Sequence, residues 1–140
     1  TFLYADFHAH LIAMPVVIAA MGWGLSVLMS RGQWHQKTKR NFVGAILGFL
    51  LGGLIIGALK PINTWDFYTF MVLNLVVLAY VGWRYVPAVR NRWLPPKMTK
   101  LVQIAISVIA LYLISSLLYK PFNQWFYPGY GQIGIWDRFQ

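Results

Sequence analysis

Phe42-Val-Gly-Ala-Ile-Leu-Gly-Phe-Leu-Leu-Gly-Gly-Leu-Ile-Ile-Gly-Ala-Leu59 runs for eighteen residues without a charge or a strongly polar side chain. Coiled as a helix, that run is ~27 Å long, close to the ~30 Å thickness of bilayer hydrocarbon. Three further apolar runs of similar length flank it, at about 10–30, 68–86 and 101–119. The whole chain is 59% hydrophobic, 17% aromatic and only 11% charged, where soluble domains carry about 25% charged residues. The expected fold is all-α: a polytopic membrane protein with about four transmembrane helices, part of a larger helical membrane domain. Residues 1–140 read as a single transmembrane region, in which 120–140 form an outer aromatic and glycine-rich tail. The chain begins at Thr1 rather than Met and reads as a segment of a longer protein. No basic n-region or small-residue cleavage site precedes the first apolar run, so that run is not a signal peptide.

The charges are distributed unevenly. Arg31, Lys37, Lys39 and Arg40 fall between the first two spans; Arg84, Arg90, Arg92, Lys97 and Lys100 fall around the loop between the third and fourth. These segments contain no acid. Lys60, Lys120 and Arg138 share the other three segments with Asp6, Asp66 and Asp137, the three acids of the chain. The positive-inside rule then makes 31–41 and 87–100 cytoplasmic loops of a plasma-membrane protein. Asp6, Asp66 and Asp137 become extracytoplasmic. The same pattern explains the net charge of +9 without nucleic acid, since no basic face survives outside the loops. Absence of cysteine excludes disulfides, thiolate chemistry and sulfur-ligated metals.

Local signals refine the spans. Pro15 lies early in the first, where a missing N–H costs little. Gly44, Gly48, Gly52 and Gly53 are expected to line one close-packing face of the second. Pro61 is expected to end that helix, and Asp66 to cap the next. Pro95-Pro96 forces an extended stretch before the fourth. Lys60-Pro-Ile-Asn-Thr-Trp65 and Lys120-Pro-Phe-Asn-Gln-Trp125 echo one another sixty residues apart. They read as a shared helix-exit pattern: Lys snorkels, Pro stops the helix and Trp sits at the interface. Polar residues within the spans are few: Asn74, Gln103, Ser107, Ser115 and Ser116.

Asp6, His8 and His10 are the densest cluster of chemistry-bearing residues. In an extended chain, positions i, i+2 and i+4 share a face. One carboxylate and two imidazoles would then converge, a donor set for a divalent metal or for general-base work beside a phosphate. In a helix only Asp6 and His10 share a face. Asp6 reads equally as an N-cap of the first span, favoured by the helix dipole. His35 reads as a solvated loop residue, and Asp137-Arg138 as a local ion pair. The run Tyr127-Pro-Gly-Tyr130-Gly131 offers aromatic faces to an interface belt, a sugar or a headgroup.

The stretch Thr1-Phe-Leu-Tyr-Ala-Asp6-Phe-His8-Ala-His10-Leu-Ile-Ala-Met-Pro15 resembles the signature of the "YYY" membrane proteins, a domain of unknown function shared by Chloroflexi and archaea. The tail from Pro121-Phe122 through Tyr130-Gly131 to Trp136-Asp137-Arg138 resembles a later part of the same proteins more loosely, and the middle hairpins match only as apolar spans. That family looks like the GT-C class of integral membrane glycosyltransferases. The resemblance implies an enzyme that takes sugar from a polyprenyl-phosphate donor at the extracytoplasmic face. It also implies Asp6 as a catalytic or metal-binding acid, with His8 and His10 beside it. Lys60, Lys120, Arg138 and Tyr130 would be the substrate-binding residues, and the positive charge for the leaving phosphate would come either from a divalent metal ion as cofactor or from Lys60, Lys120 and Arg138. Partners would be the lipid bilayer, the lipid-linked sugar and the remaining helices of the parent protein. Against this stands a non-enzymatic module, a transporter piece or packing subunit.

Overall fold

The computed structural model describes residues 9–31, 39–89 and 95–125. Four long helices cross the bundle: α1 (Ala9–Ser30), α2 (Lys39–Ile62), α3 (Thr64–Tyr85) and α4 (Pro96–Leu118). A short helix, α5 (Lys120–Trp125), follows. The all-helical, four-span reading is borne out: each long helix has the length and apolarity to cross a bilayer, and 22 to 24 residues span ~33–36 Å.

Apolar residues cover the outside as well as the core. Ile12, Ile18, Leu25, Leu47, Leu54, Val76, Ile106 and Leu117 are all exposed. Water would penalise such a surface, whereas lipid hydrocarbon does not. The inside is selected by periodicity. On α3, Phe67, Met71, Asn74, Leu78 and Val81 are buried, alternating steps of four and three. On α1, Ala13, Ala20 and Val27 repeat at seven, with Trp23 between them. These are seams of the coiled-coil kind, in which side chains of one helix fill gaps in the next.

α2 and α3 each touch both of the other long helices and one another, while α1 and α4 make at most marginal contact. The bundle is therefore a rhombus in section, with α2 and α3 on its short diagonal. Two small-residue contacts set how closely it closes. At Gly52 a methyl group would overlap the Trp23 indole; that indole donates from Nε1 to the Gly48 carbonyl at 2.8 Å and meets Phe49 edge-on at 6.5 Å. At Gly53 and Gly57 the facing atoms belong to Ile114, Ser115 and Tyr119 of the α4 end.

Several local expectations are corrected. The glycines of α2 do not form one packing face. Gly44 and Gly48 have open space where a side chain would go, Gly52 faces α1, and Gly53 with Gly57 faces α4. Pro61 does not end α2, which continues to Ile62. Proline forbids a hydrogen bond to the carbonyl four residues back, but near a C-terminus that loss is single, and Asn63 N–H resumes the pattern by donating to Leu59 O at 2.7 Å. Likewise α4 starts at Pro96 rather than near Leu101, because Pro95 is extended (φ −64°, ψ 151°) and Pro96 occupies the first turn, where proline is favoured. The two Lys-Pro-x-Asn-x-Trp copies fold differently: the first straddles the α2–α3 break, the second is helical throughout as α5. Proline stops neither helix. Trp65 and Trp125 do share high exposure, 81% and 89%.

Candidate functional site

With four crossings, the start of α1, the α2–α3 connection and the α4–α5 junction fall at one end of the bundle. Most of the geometry there is built around a single residue. Asn63 alone separates α2 from α3. It is extended (φ −155°, ψ 105°) and 8% exposed. Its Oδ1 accepts from Trp65 N–H at 3.2 Å, so Asn63, not Asp66, is the N-cap of α3. Asp66 sits three residues later and its Oδ2 accepts from Asn63 Nδ2 at 2.9 Å. In an ordinary capping box the acid at the third helical position would reach the cap's backbone N–H. Here that N–H already belongs to Leu59 O, and the acid takes the side-chain amide instead. A carboxylate in the first turn also meets the helix dipole favourably.

Lys60 lies in the last turn of α2, half-buried, its Nζ 5.6 Å from the centre of the Phe67 ring. Its backbone carbonyl accepts from Thr64 Oγ1 at 3.3 Å. Lys120 opens α5 and is exposed. His10 is the second residue of α1, and its side chain lies outside the described residues. Asp6, His8, His35, Tyr127, Tyr130, Asp137 and Arg138 also lie outside them. Of the proposed ligands and substrate contacts, then, Lys60, Lys120 and the backbone of His10 share one end. Among the described residues no three His, Asp or Glu side chains converge.

The opposite end is basic. Arg84 lies 5.5 Å from the Tyr85 ring and Lys100 Nζ 5.6 Å from the Trp83 ring. Gln103 Oε1 accepts from Val89 N–H at 3.3 Å.

Two polar groups at bilayer depth stand apart from either end. Asn74, 1% exposed, donates from Nδ2 to Phe70 O at 2.8 Å, while its Oδ1 has no hydrogen-bond partner among the described residues. A methyl group on Gly24 of α1 would stand 2.5 Å from that oxygen, so only glycine leaves room for the amide. Ser115 Oγ is buried and likewise unpartnered. The sequence marks both as polar residues within spans; it gives no sign that they are fully enclosed. Gly57 and Asn63 were also legible in part, as the second glycine of Gly53-x-x-x-Gly57 and as an asparagine three residues before an acid.

No curated protein and no solved structure matches the chain. A family model does match, over residues 1–139, and it describes an uncharacterized membrane protein. That description agrees with the four apolar crossings, and on a match of this extent the chain belongs to the DUF2298 family of membrane proteins.

Proposed function

We propose that the chain is part of a multi-pass plasma-membrane glycosyltransferase that uses a polyprenyl-phosphate-linked sugar at the extracytoplasmic face. The observation that supports this reading most is topological. α1, into which Asp6-Phe7-His8 leads, begins at the same bundle end as Lys60, Asp66 and Lys120. The other end carries the acid-free basic segments, which the positive-inside rule assigns to the cytoplasm.

The chemistry needs a base and a positive charge. The Asp6 carboxylate takes the proton of the acceptor hydroxyl as its oxygen bonds to the sugar's anomeric carbon. The bond from that carbon to the phosphate breaks, and both electrons leave with the phosphate. Lys60, Lys120 and Arg138 neutralise the departing charge. His8 and His10 orient the acid or touch the phosphate, and Tyr130 lies against the sugar. One carboxylate and two imidazoles are also a fitting donor set for a divalent cation, which would supply Lewis-acid stabilisation of the phosphate.

The test is sugar transfer from a polyprenyl-phosphate donor by the full-length protein, wild type against Asp6→Ala. Loss of transfer with unchanged melting temperature supports the assignment. Transfer that persists overturns it. A lower melting temperature with transfer intact would make Asp6 a helix cap, and a wild type that transfers no sugar favours the non-enzymatic module.

A further inference from the structure

α2 and α4 are in tight contact at Gly53 and Gly57, the half of the bundle nearest Asn63. Towards the basic end they part, leaving an open groove of about 280 Å³. Ala45, Phe49 and Leu50 line it from α2, and Ile106, Ala110 and Ile114 from α4. Its lining is wholly apolar. From Ile106 to Ile114 it follows α4 for ~12 Å at the helical rise. Ile46, Leu50 and Ile106 at its margins are exposed, so it opens to the bilayer and not to the core.

We infer that this groove seats an acyl chain of an anionic phospholipid of the leaflet at the basic end. Charge selects the occupant. Lys39 and Arg40 open α2, and Lys39 precedes Ile46 by seven residues, two turns of helix. Lys97 lies in the first turn of α4. No acid occurs in either basic segment to offset them. A chain in the groove brings its phosphate towards the first turns of α2 and α4, where each basic residue near an anionic headgroup strengthens binding about fivefold. A zwitterionic lipid fills the same groove without that gain. The inference concerns the face away from the proposed transfer site and does not depend on it.

The full-length protein in detergent, melted with added phosphatidylglycerol or phosphatidylcholine of identical acyl chains, tests it. Wild type should be stabilised more by phosphatidylglycerol, and native mass spectrometry should find that lipid retained. Ala45→Leu with Ala110→Leu fills the groove and should abolish the extra stabilisation while leaving the melting temperature in phosphatidylcholine unchanged or raised. Lys39→Gln with Lys97→Gln leaves the groove open and should weaken the phosphatidylglycerol response ~25-fold in half-saturating concentration. Equal responses of wild type to the two lipids overturn the inference, as does an intact phosphatidylglycerol response in either variant. If the filled variant melts lower in both lipids, another helix of the protein occupies the groove, and the lipid assignment falls.

Discussion

Replacing Gly52 by alanine should loosen the α1–α2 contact, although alanine is the better helix former. The added methyl would overlap the Trp23 ring, standing 2.5 Å from Cζ2 and 2.7 Å from Nε1. Ordinary contact begins near 3.5 Å, so the indole must move by about an ångström. Trp23 is buried, and its Nε1 donates to Gly48 O at 2.8 Å. Overpacking of this kind costs ~1–3 kcal/mol. Loss of an interhelical hydrogen bond in a membrane protein adds ~0.6 kcal/mol. Alanine returns up to ~1 kcal/mol of helix propensity, leaving a net loss of ~1–2 kcal/mol. Gly44→Ala is the control: nothing lies within 4 Å of its added carbon, so it should be neutral or gain up to ~1 kcal/mol. The assay is reversible unfolding of the full-length protein in mixed micelles with rising dodecyl sulfate, the two variants side by side. Trp23→Ala supplies the second arm, because in that background Gly52→Ala should cost nothing, a coupling of ~1–2 kcal/mol. If Gly52→Ala matches Gly44→Ala, or if its cost persists without the indole, the indole does not set the helix separation.

Asn63→Ala should cost ~1–2 kcal/mol by removing the α3 cap and the amide that Asp66 accepts from, with faster hydrogen exchange at Trp65 N–H as the local readout. Asp66→Asn keeps an acceptor there and should cost less than half as much in the same unfolding assay. Gly24→Ala should destabilise by ~1–3 kcal/mol through the Asn74 amide, and Asn74→Ala should restore most of that; independent, additive losses would refute the contact. Asn74→Leu, which removes a buried unpartnered oxygen, should leave stability unchanged or raise it. Tyr119→Phe deletes the hydroxyl that donates to Leu54 O at 3.0 Å and should cost ~0.6 kcal/mol, far less than Gly57→Val, which would drive a side chain into the Tyr119 ring and Ser115 backbone.

The sequence alone determined the crossings. Uncharged runs long enough to span hydrocarbon leave the backbone one way to satisfy its hydrogen bonds within a segment, which is a helix. The distribution of Lys, Arg and Asp likewise divided the connecting segments into an acid-free basic set and a set that holds every acid, because those side chains stay out of the hydrocarbon whatever the packing. The tertiary structure decided what periodicity could not. A helix that is apolar all round carries no signal of which face is inside, so whether Gly44 or Gly57 meets a neighbour depended on the rhombic arrangement of α1 to α4. The same holds for Asn74, whose enclosure requires Gly24 of another helix. Asp66 lost the cap to Asn63 because the chain turns within one residue, and the residue at the turn is the one whose side chain can reach the next helix's free N–H groups. Local sequence fixes how far a chain can run straight in lipid; which small residue faces which neighbour is settled only when two helices compete for the same space.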